Sequence, residues 1–211
     1  MFYCYPNSFT DEVLEVMASD PRFCRYLDMP FQHISDPVLK KMNRKITRKE
    51  IEATMARVRR QLPDVAWRTT FIVGFPTETD QDFEELVDFV SEGHFQHLGI
   101  FLYSDEDNIR SSKFGDPIPL SLKEERKNRL MEIQQKISRE HHQKMVGSLQ
   151  QVLVGGFSSE TDLLLEGRNQ YQGPEVDGVV YINEGNATSA GFHQVEITEA
   201  HEYDLVGKIL N

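Results

Sequence analysis

Cysteines are few in this sequence, and it has no long apolar run. Only Cys4 and Cys24 occur among 211 residues, too few for a disulfide framework or a metal site built from cysteines alone. We interpret them as two small buried residues in a reduced cytosol. No stretch approaches the ~18 apolar residues of a membrane-spanning helix, and no basic region followed by an apolar core opens the chain. The sequence predicts a cytoplasmic protein without membrane association.

Positive charge is scarce from Gly147 to the end of the chain. This segment has two basic residues, Arg168 and Lys208, against ten acidic ones, whereas the first 146 residues carry a net charge of only −3. Because nucleic-acid phosphates are bound by Lys and Arg, we expect the segment to repel RNA. We expect it to attract a strongly basic protein. The alternative is that the acidity only keeps the segment soluble.

Strand and helix patterns alternate in residues 1–146. Four strands are predicted, at 2–6, 25–33, 67–75 and 97–104. Helix starts are predicted at Thr10, at Asp36-Pro37, at Thr47 with Glu50, at Thr79, and at Ser121 with Glu124. This rhythm favours an α/β fold with parallel strands and crossover helices.

The pattern changes after a long helix predicted at 121–146. Five short strands follow, at 151–157, 162–168, 177–182, 193–198 and 203–209, separated by Gly, Asn and Ser. Five short strands in so few residues predict a small all-β barrel. We therefore predict two domains, 1–146 and 147–211.

Candidate site residues follow from the rule that ligands of parallel α/β folds lie beyond the C-terminal ends of the strands. The rule selects Gln32, His33, Gly74, Phe75, Glu78, Tyr103, Ser104, Asp105 and Glu106. Gly74 has no Cβ and so would let a flat ligand approach the backbone. The alternative is that Gly-Phe-Pro only forms a tight turn, with Glu78 at the helix start and Gln32-His33 as a helix entry. No metal site is predicted, and His94, His97, His141 and His142 are expected at the surface.

Several segments resemble one family. They are RYLDMPFQHISDPVLKKMNR (25–44), RTTFIVGFPTET (68–79), FLYSDE (101–106), GRNQYQGPEVDGVVYI (167–182) and YDLVG (203–207). In this order they resemble the radical S-adenosylmethionine (SAM) methylthiotransferases. The resemblance is narrowest to the branch that acts on an aspartate of ribosomal protein S-twelve, because YLDMPFQH and EVDG are fairly specific to that branch.

The resemblance implies a fold and a chemistry. The fold would be the C-terminal part of a partial (β/α)₆ radical SAM barrel, followed by a TRAM domain, a five-stranded OB-like barrel. The full-length enzyme would use S-adenosylmethionine and two iron–sulfur clusters to make a deoxyadenosyl radical, and would place a methylthio group on the β-carbon of the aspartate. The backbone of Ile72 to Gly74 would meet the adenine. The other cofactor-pocket candidates are Gln32, His33, Arg68, Glu78 and Tyr103.

The sequence departs from the family in one large respect. The three-cysteine motif of the barrel and the upstream cluster domain have no counterpart in it. We expect this chain by itself to retain no cofactor and to be inactive. Two smaller departures are Thr77, where the family usually has Gly, and DNIRSS (107–112) in place of Gly-Thr.

Two further hypotheses about function stay open. One is a methylthiotransferase of the same superfamily that acts on transfer RNA; the other is a non-catalytic module that binds a ribosomal protein. The acidity of the C-terminal segment favours a protein substrate over RNA, and Glu175 and Asp177 in the PEVDG turn are the candidate partner-binding residues.

Overall fold

A computed structural model describes residues 1–6, 9–105, 113–185 and 190–210. The chain forms two compact units, one made of residues 1–23 and 27–134 and the other of residues 24–26 and 135–211. The predicted domain boundary at 146/147 stays a prediction.

The first unit is built on a three-stranded sheet in the order β1-β2-β3. Its strands are most of β1 (Tyr26–Asp28), β2 (Ala66–Val73) and β3 (His97–Leu102). Its helices are α1 (Asp11–Ser19), α2 (Asp36–Lys41), α3 (Arg48–Gln61), α4 (Asp80–Ser91) and most of α5 (Leu120–Gln143). β2 and β3 run parallel, from Arg68 opposite His97 to Val73 opposite Leu102, so their C-terminal ends lie at the same edge of the sheet.

Side-chain caps fix two of the helix starts. The capping box of Thr47 and Glu50 forms as predicted, and Thr79 forms one with Asp82. The predicted box of Ser121 and Glu124 is wrong, because α5 already begins at Leu120 and Ser121 lies inside it.

The predicted first strand, at 2–6, does not form as a strand. Two backbone hydrogen bonds join this segment to β1, from Asp28 N to Met1 O and from Cys4 N to Asp28 O, both 2.9 Å. Between them Tyr3 has a φ of 55°, which is incompatible with extended pairing. Cys24 is exposed and Cys4 only half-buried, so the expectation of two buried cysteines is also wrong.

One face of the sheet is packed against helices. Trp67, Phe71 and Val73 alternate along β2 and are buried in the core of this unit, as the period-two pattern of a strand requires. The ring of Phe31 stacks on Trp67 at 6.0 Å, and Phe95 packs edge-on against Phe71 at 5.9 Å. These contacts pack β2 into the core of the first unit.

The second unit contains a closed five-stranded barrel in the order β4-β5-β6-β8-β7. Its strands are β4 (Leu149–Phe157), β5 (Leu165–Arg168), β6 (Val180–Glu184), β7 (Gly191–Ala200) and β8 (Leu205–Ile209). The barrel core consists of Val152, Val154, Val180, Ile182, Val195, Ile197, Leu205 and Ile209. The predicted fold class, a parallel α/β region followed by a small all-β barrel, is confirmed.

No helix in the described part of the chain has both the length and the apolar character needed to cross a membrane. His142 on α5 is buried, with Nδ1 3.1 Å from the carbonyl oxygen of His201. The expectation that this histidine is solvated is therefore wrong.

Candidate functional site

The turn that ends β2 is held by Glu78. Gly74 has a φ of 74°, a conformation that glycine adopts without steric cost. The amide of Gly74 donates to Oε2 of Glu78 at 2.7 Å, and the amide of Phe75 donates to the same oxygen at 3.2 Å. The amide of Glu78 in turn donates to Phe75 O at 2.8 Å. The carboxylate therefore fixes the backbone at the strand end instead of merely decorating the helix start.

The second carboxylate oxygen of Glu78 is bound by α5. Nη1 of Arg126 donates to Oε1 of Glu78 at 2.8 Å, and Nη2 donates to Asp80 at 2.7 Å. The side chains of Glu78 and Arg126 are 0% and 4% exposed. Burial raises the pKa of Glu78, while Arg126 and the amides of Phe75 and Gly74 oppose the rise. Both carboxylate oxygens of Glu78 thus accept hydrogen bonds from groups of this chain. Glu78 therefore supports the backbone of the site and does not itself contact a ligand.

Gln32 and His33 enter the same edge of the sheet from β1. Gln32 has a φ of 73° and pairs with β2 through its backbone, with its amide 2.8 Å from Thr70 O and its carbonyl oxygen 2.9 Å from Ile72 N. His33 is fully buried, and its Nδ1 accepts from the amide of Ser35 at 3.0 Å.

The buried imidazole of His33 is uncharged at neutral pH. Desolvation by burial is the main cause that lowers its pKa to about 4. The charge of Asp82 opposes this shift, and the charge of Arg126 adds to it. Because Nδ1 accepts a hydrogen bond, the proton of the neutral ring is on Nε2. Nε2 has no hydrogen-bond partner and lies 3.9 Å from Oε2 of Glu78. His33 therefore belongs to the buried network behind the strand ends.

Tyr103, at the end of β3, is buried in an apolar cluster with Val38 and Phe75, against which Ile72 packs. Its ring lies edge-on to Phe75 at 5.3 Å. Its amide donates to Val73 O at 2.9 Å, which extends the parallel pairing one residue beyond β3. Tyr103 and Ile72 thus form an apolar wall at the strand ends.

Lys123 of α5 covers Gly74. Its Nζ donates to Tyr103 O at 2.8 Å and to Asp116. A Cβ on Gly74 would overlap Cγ of Lys123. Both the positive φ and the packing of Lys123 therefore require glycine at this position. Lys123 fills the space that a Cβ would take, so a flat ligand would have to reach the backbone of Gly74 from another side.

Arg68 lies apart from these residues. It projects from the face of β2 opposite Trp67, where Nη1 lies 3.3 Å from Oδ1 of Asp28 and 3.4 Å from Oγ1 of Thr70. Arg68, Thr70 and Ile72 occupy alternate positions of β2 and share this face, so Arg68 is four residue pairs deeper in the sheet than Ile72 of the apolar wall. Ser104 and Asp105 are exposed beyond β3, and Glu106 and the segment 107–112 lie outside the described residues.

The structure thus brings Gly74, Glu78 and His33 into one network and Ile72 and Tyr103 into one wall. The sequence analysis did not select Arg126 and Lys123, because both lie on the predicted long helix and not at a strand end. Their spacing of three residues near the start of a helix places both side chains on one face, and that signal was available.

The candidate partner-binding residues lie in the second unit and differ in their roles. Glu175 is exposed, with a φ of 64°. Asp177 is half-buried, and its Oδ2 accepts from the amide of Gly173 at 2.8 Å, so it stabilises the turn. Among the residues that the structure describes, no group of three or more His, Cys, Asp or Glu side chains is arranged to hold a metal ion.

Comparison with known proteins covers both units. A model of the radical SAM superfamily matches residues 2–90, and a TRAM domain model matches residues 146–210. Among curated proteins, the chain is 48% identical over 210 residues to the ribosomal protein uS12 methylthiotransferase RimO of Bdellovibrio bacteriovorus, and 46% and 42% identical over 211 residues to those of Desulfotalea psychrophila and Geobacter sulfurreducens.

Each alignment covers 100% of this chain but 46% to 48% of the relative. The chain thus spans about half the length of the curated relatives it matches. The family motifs in the sequence, the two family models and the full coverage of the chain agree. Residues 2–90 are thus similar to the radical SAM superfamily and residues 146–210 to TRAM domains, and the chain along its whole length is similar to uS12 methylthiotransferases.

Proposed function

We propose that this chain is part of a cytoplasmic enzyme that methylthiolates the β-carbon of an aspartate in a small-subunit ribosomal protein by radical SAM chemistry. The observation that carries the proposal is the similarity to uS12 methylthiotransferases along 100% of the chain. The strand-end site supports it, because that edge of a parallel sheet is where α/β folds bind ligands.

The residues at the strand ends fit the adenosyl half of S-adenosylmethionine. Ile72 is the partly exposed residue packed against the buried Phe75 and Tyr103, so its side chain is the apolar surface proposed for a planar base, and the backbone beside it is held by Glu78. Gln32 and Arg68 remain proposals as cofactor contacts, and His33, which is fully buried, remains a proposal as a support of the cofactor pocket. The cofactor would supply hydrogen abstraction from an unactivated C–H bond, which no side chain can perform; this chain's part is to bind and orient.

An iron–sulfur cluster does not fit the residues present. Clusters are held mainly by cysteine thiolates, and this chain has only Cys4 and Cys24. The thiol pKa of Cys4 is raised by burial, which opposes the thiolate form that a metal requires. The two clusters of the proposed enzyme would therefore take their ligands from outside these 211 residues.

The barrel unit is proposed to bind the basic substrate protein. In residues 147–211, five acidic residues are exposed, namely Glu160, Asp162, Glu175, Glu184 and Glu199. Of the two basic residues in the same segment, Lys208 is paired with Glu196 at 3.2 Å. Such a surface attracts a cationic protein and disfavours a polyanion. This charge argues against the alternative of a transfer-RNA methylthiotransferase, while the missing cluster ligands keep open a non-catalytic module that binds a ribosomal protein.

The test measures binding of the chain to a purified basic S-twelve protein and to transfer RNA. We expect the protein to bind at low salt, and its affinity to fall as the Debye length shrinks to about 8 Å at physiological salt. Glu175→Lys should weaken binding, whereas Glu12→Lys, which makes the same charge change on the exposed face of α1, should not. Micromolar affinity for transfer RNA at physiological salt would move the assignment to the RNA-modifying branch. A three-cysteine motif in the coding region upstream of Met1 would separate an enzyme from a binding module.

A further inference from the structure

The guanidinium of Arg126 is held from three directions. It bridges Glu78 on one side and Asp80 on the other, and it lies 5.2 Å from the centre of the Phe83 ring. Only 4% of the side chain is exposed. A planar, permanently charged group held this way has a single orientation. Arg126 therefore keeps Oε1 of Glu78 in one place.

Because Oε1 of Glu78 is fixed, the position of Oε2 and its hydrogen bonds to the β2 turn are fixed as well. With one carboxylate oxygen held by α5, the other faces the amides of Gly74 and Phe75 at 2.7 and 3.2 Å. An ionised carboxylate accepts such bonds about twice as strongly as a neutral acceptor does. The geometry of the β2 turn thus depends on a charge that α5 stabilises.

Among the charged and titratable groups around Glu78, Arg126 is the one that stabilises the negative charge of its carboxylate. His33 faces Oε2 at 3.9 Å but is neutral, since its pKa is lowered to about 4. Asp80 and Asp82, at the start of α4, add negative charge. Lys123, beside Gly74, is engaged with Tyr103 O and Asp116. Burial raises the pKa of Glu78, and Arg126 is the strongest of the influences that oppose it.

We propose that Arg126 is a positioning residue for the strand-end site, which acts through Glu78 to hold the backbone of Gly74 and Phe75 in the geometry that a bound adenine meets. The adenine part of this statement rests on the proposed function. The positioning part concerns only contacts within this chain, so the two can be tested separately.

The test follows the amide resonances of Gly74 and Phe75 by nuclear magnetic resonance from pH 4 to pH 8. In Arg126→Gln, loss of the adjacent positive charge should raise the midpoint of their titration by about one pH unit or more. The control is Arg129→Gln, since Arg129 pairs with Glu84 at the surface of the same helix and should leave both amides unchanged. Arg126→Lys, which keeps the charge, should titrate near the wild type and provides a milder variant if the glutamine variant unfolds.

Adding Glu78→Gln to Arg126→Gln should abolish the titration of both amides, because the group that titrates is gone. Equal midpoints in the wild type, Arg126→Gln and Arg126→Lys would overturn the positioning role, and so would persistence of the titration without Glu78. Adenosine added in excess to the wild type tests the other part, because it carries the adenine and needs no cluster: shifts at Gly74 and Phe75 support an adenine site there. Their absence, with the titration as expected, would count against the site while leaving the role of Arg126 intact.

Discussion

Nη1 of Arg126 donates a hydrogen bond to Oε1 of Glu78 at 2.8 Å, across 48 positions of sequence. This buried pair joins α5 to the turn after β2. It links α5, on which no site residue was predicted, to the strand end where a ligand is expected. The stability of the first unit should depend on this pair.

Arg126→Gln should lower the free energy of unfolding by about 3–5 kcal/mol, the usual cost of leaving one buried partner of an ion pair uncompensated. Urea unfolding followed by circular dichroism measures it. Arg129→Gln is the matched control; its pair with Glu84 is about half exposed, so its loss should matter little. Equal losses of stability in the two variants would show that the buried pair contributes no more to the free energy of unfolding than the exposed one.

Stability should fall as the pH is lowered from about 6.5 to about 4, partly because of His33. Its pKa is lowered from 6.5 to about 4 in the fold, so in this window the unfolded chain binds the proton more readily. The contribution of His33 to the free energy of unfolding is fully present above pH 6.5. Acidification to about pH 4 removes up to about 3 kcal/mol of it. His33→Asn, whose Oδ1 can replace Nδ1 as acceptor, should flatten this part of the profile. An unchanged slope would mean that His33 is not buried as a neutral ring.

Gly74→Ala should destabilise the protein more than Gly93→Ala. Both glycines have nearly the same φ, 74° and 73°, but an added Cβ meets Lys123 at Gly74 and nothing within 4 Å at Gly93. Gly93→Ala should cost about 1–2 kcal/mol for the left-handed backbone, and Gly74→Ala a further 1–3 kcal/mol or so for overpacking. Thermal unfolding of the two variants gives the comparison, and equal losses would remove Lys123 from the explanation.

Anaerobic reconstitution of this chain with iron and sulfide should leave it colourless. Cluster absorption needs thiolate ligands, and the chain has two thiols, one of them half-buried. The measurement is the visible spectrum with iron and sulfide analysis. A stable brown species with stoichiometric iron would show that the chain can ligate a cluster after all.

The sequence predicted the strand-end edge well because local signals determine it. The apolar run ending at Gly74 gave β2, and the polar cluster after it gave the cap of α4 at Thr79. The five barrel strands followed from short apolar runs between turn residues. These features depend on neighbours within a few positions, which a single sequence displays directly.

The contacts that support the site were harder to predict because they join distant segments. Glu78 meets Arg126 across 48 positions, and Gly74 meets Lys123 across 49. The segment at 2–6 shows the opposite failure: its composition favours a strand, but the backbone of Tyr3 prevents regular pairing. The role of Asp177 as a turn stabiliser was likewise hidden until its bond to Gly173 could be seen.

The most direct test of the proposed function is peptide mass spectrometry of ribosomal protein S-twelve from cells with and without an intact coding region for this protein. The proposal predicts an aspartate-containing peptide that carries a methylthio group in place of hydrogen in intact cells and lacks it in disrupted cells. An identical, unmodified peptide in both strains would contradict the proposal, most clearly if a methylthiolated nucleoside of transfer RNA disappeared instead.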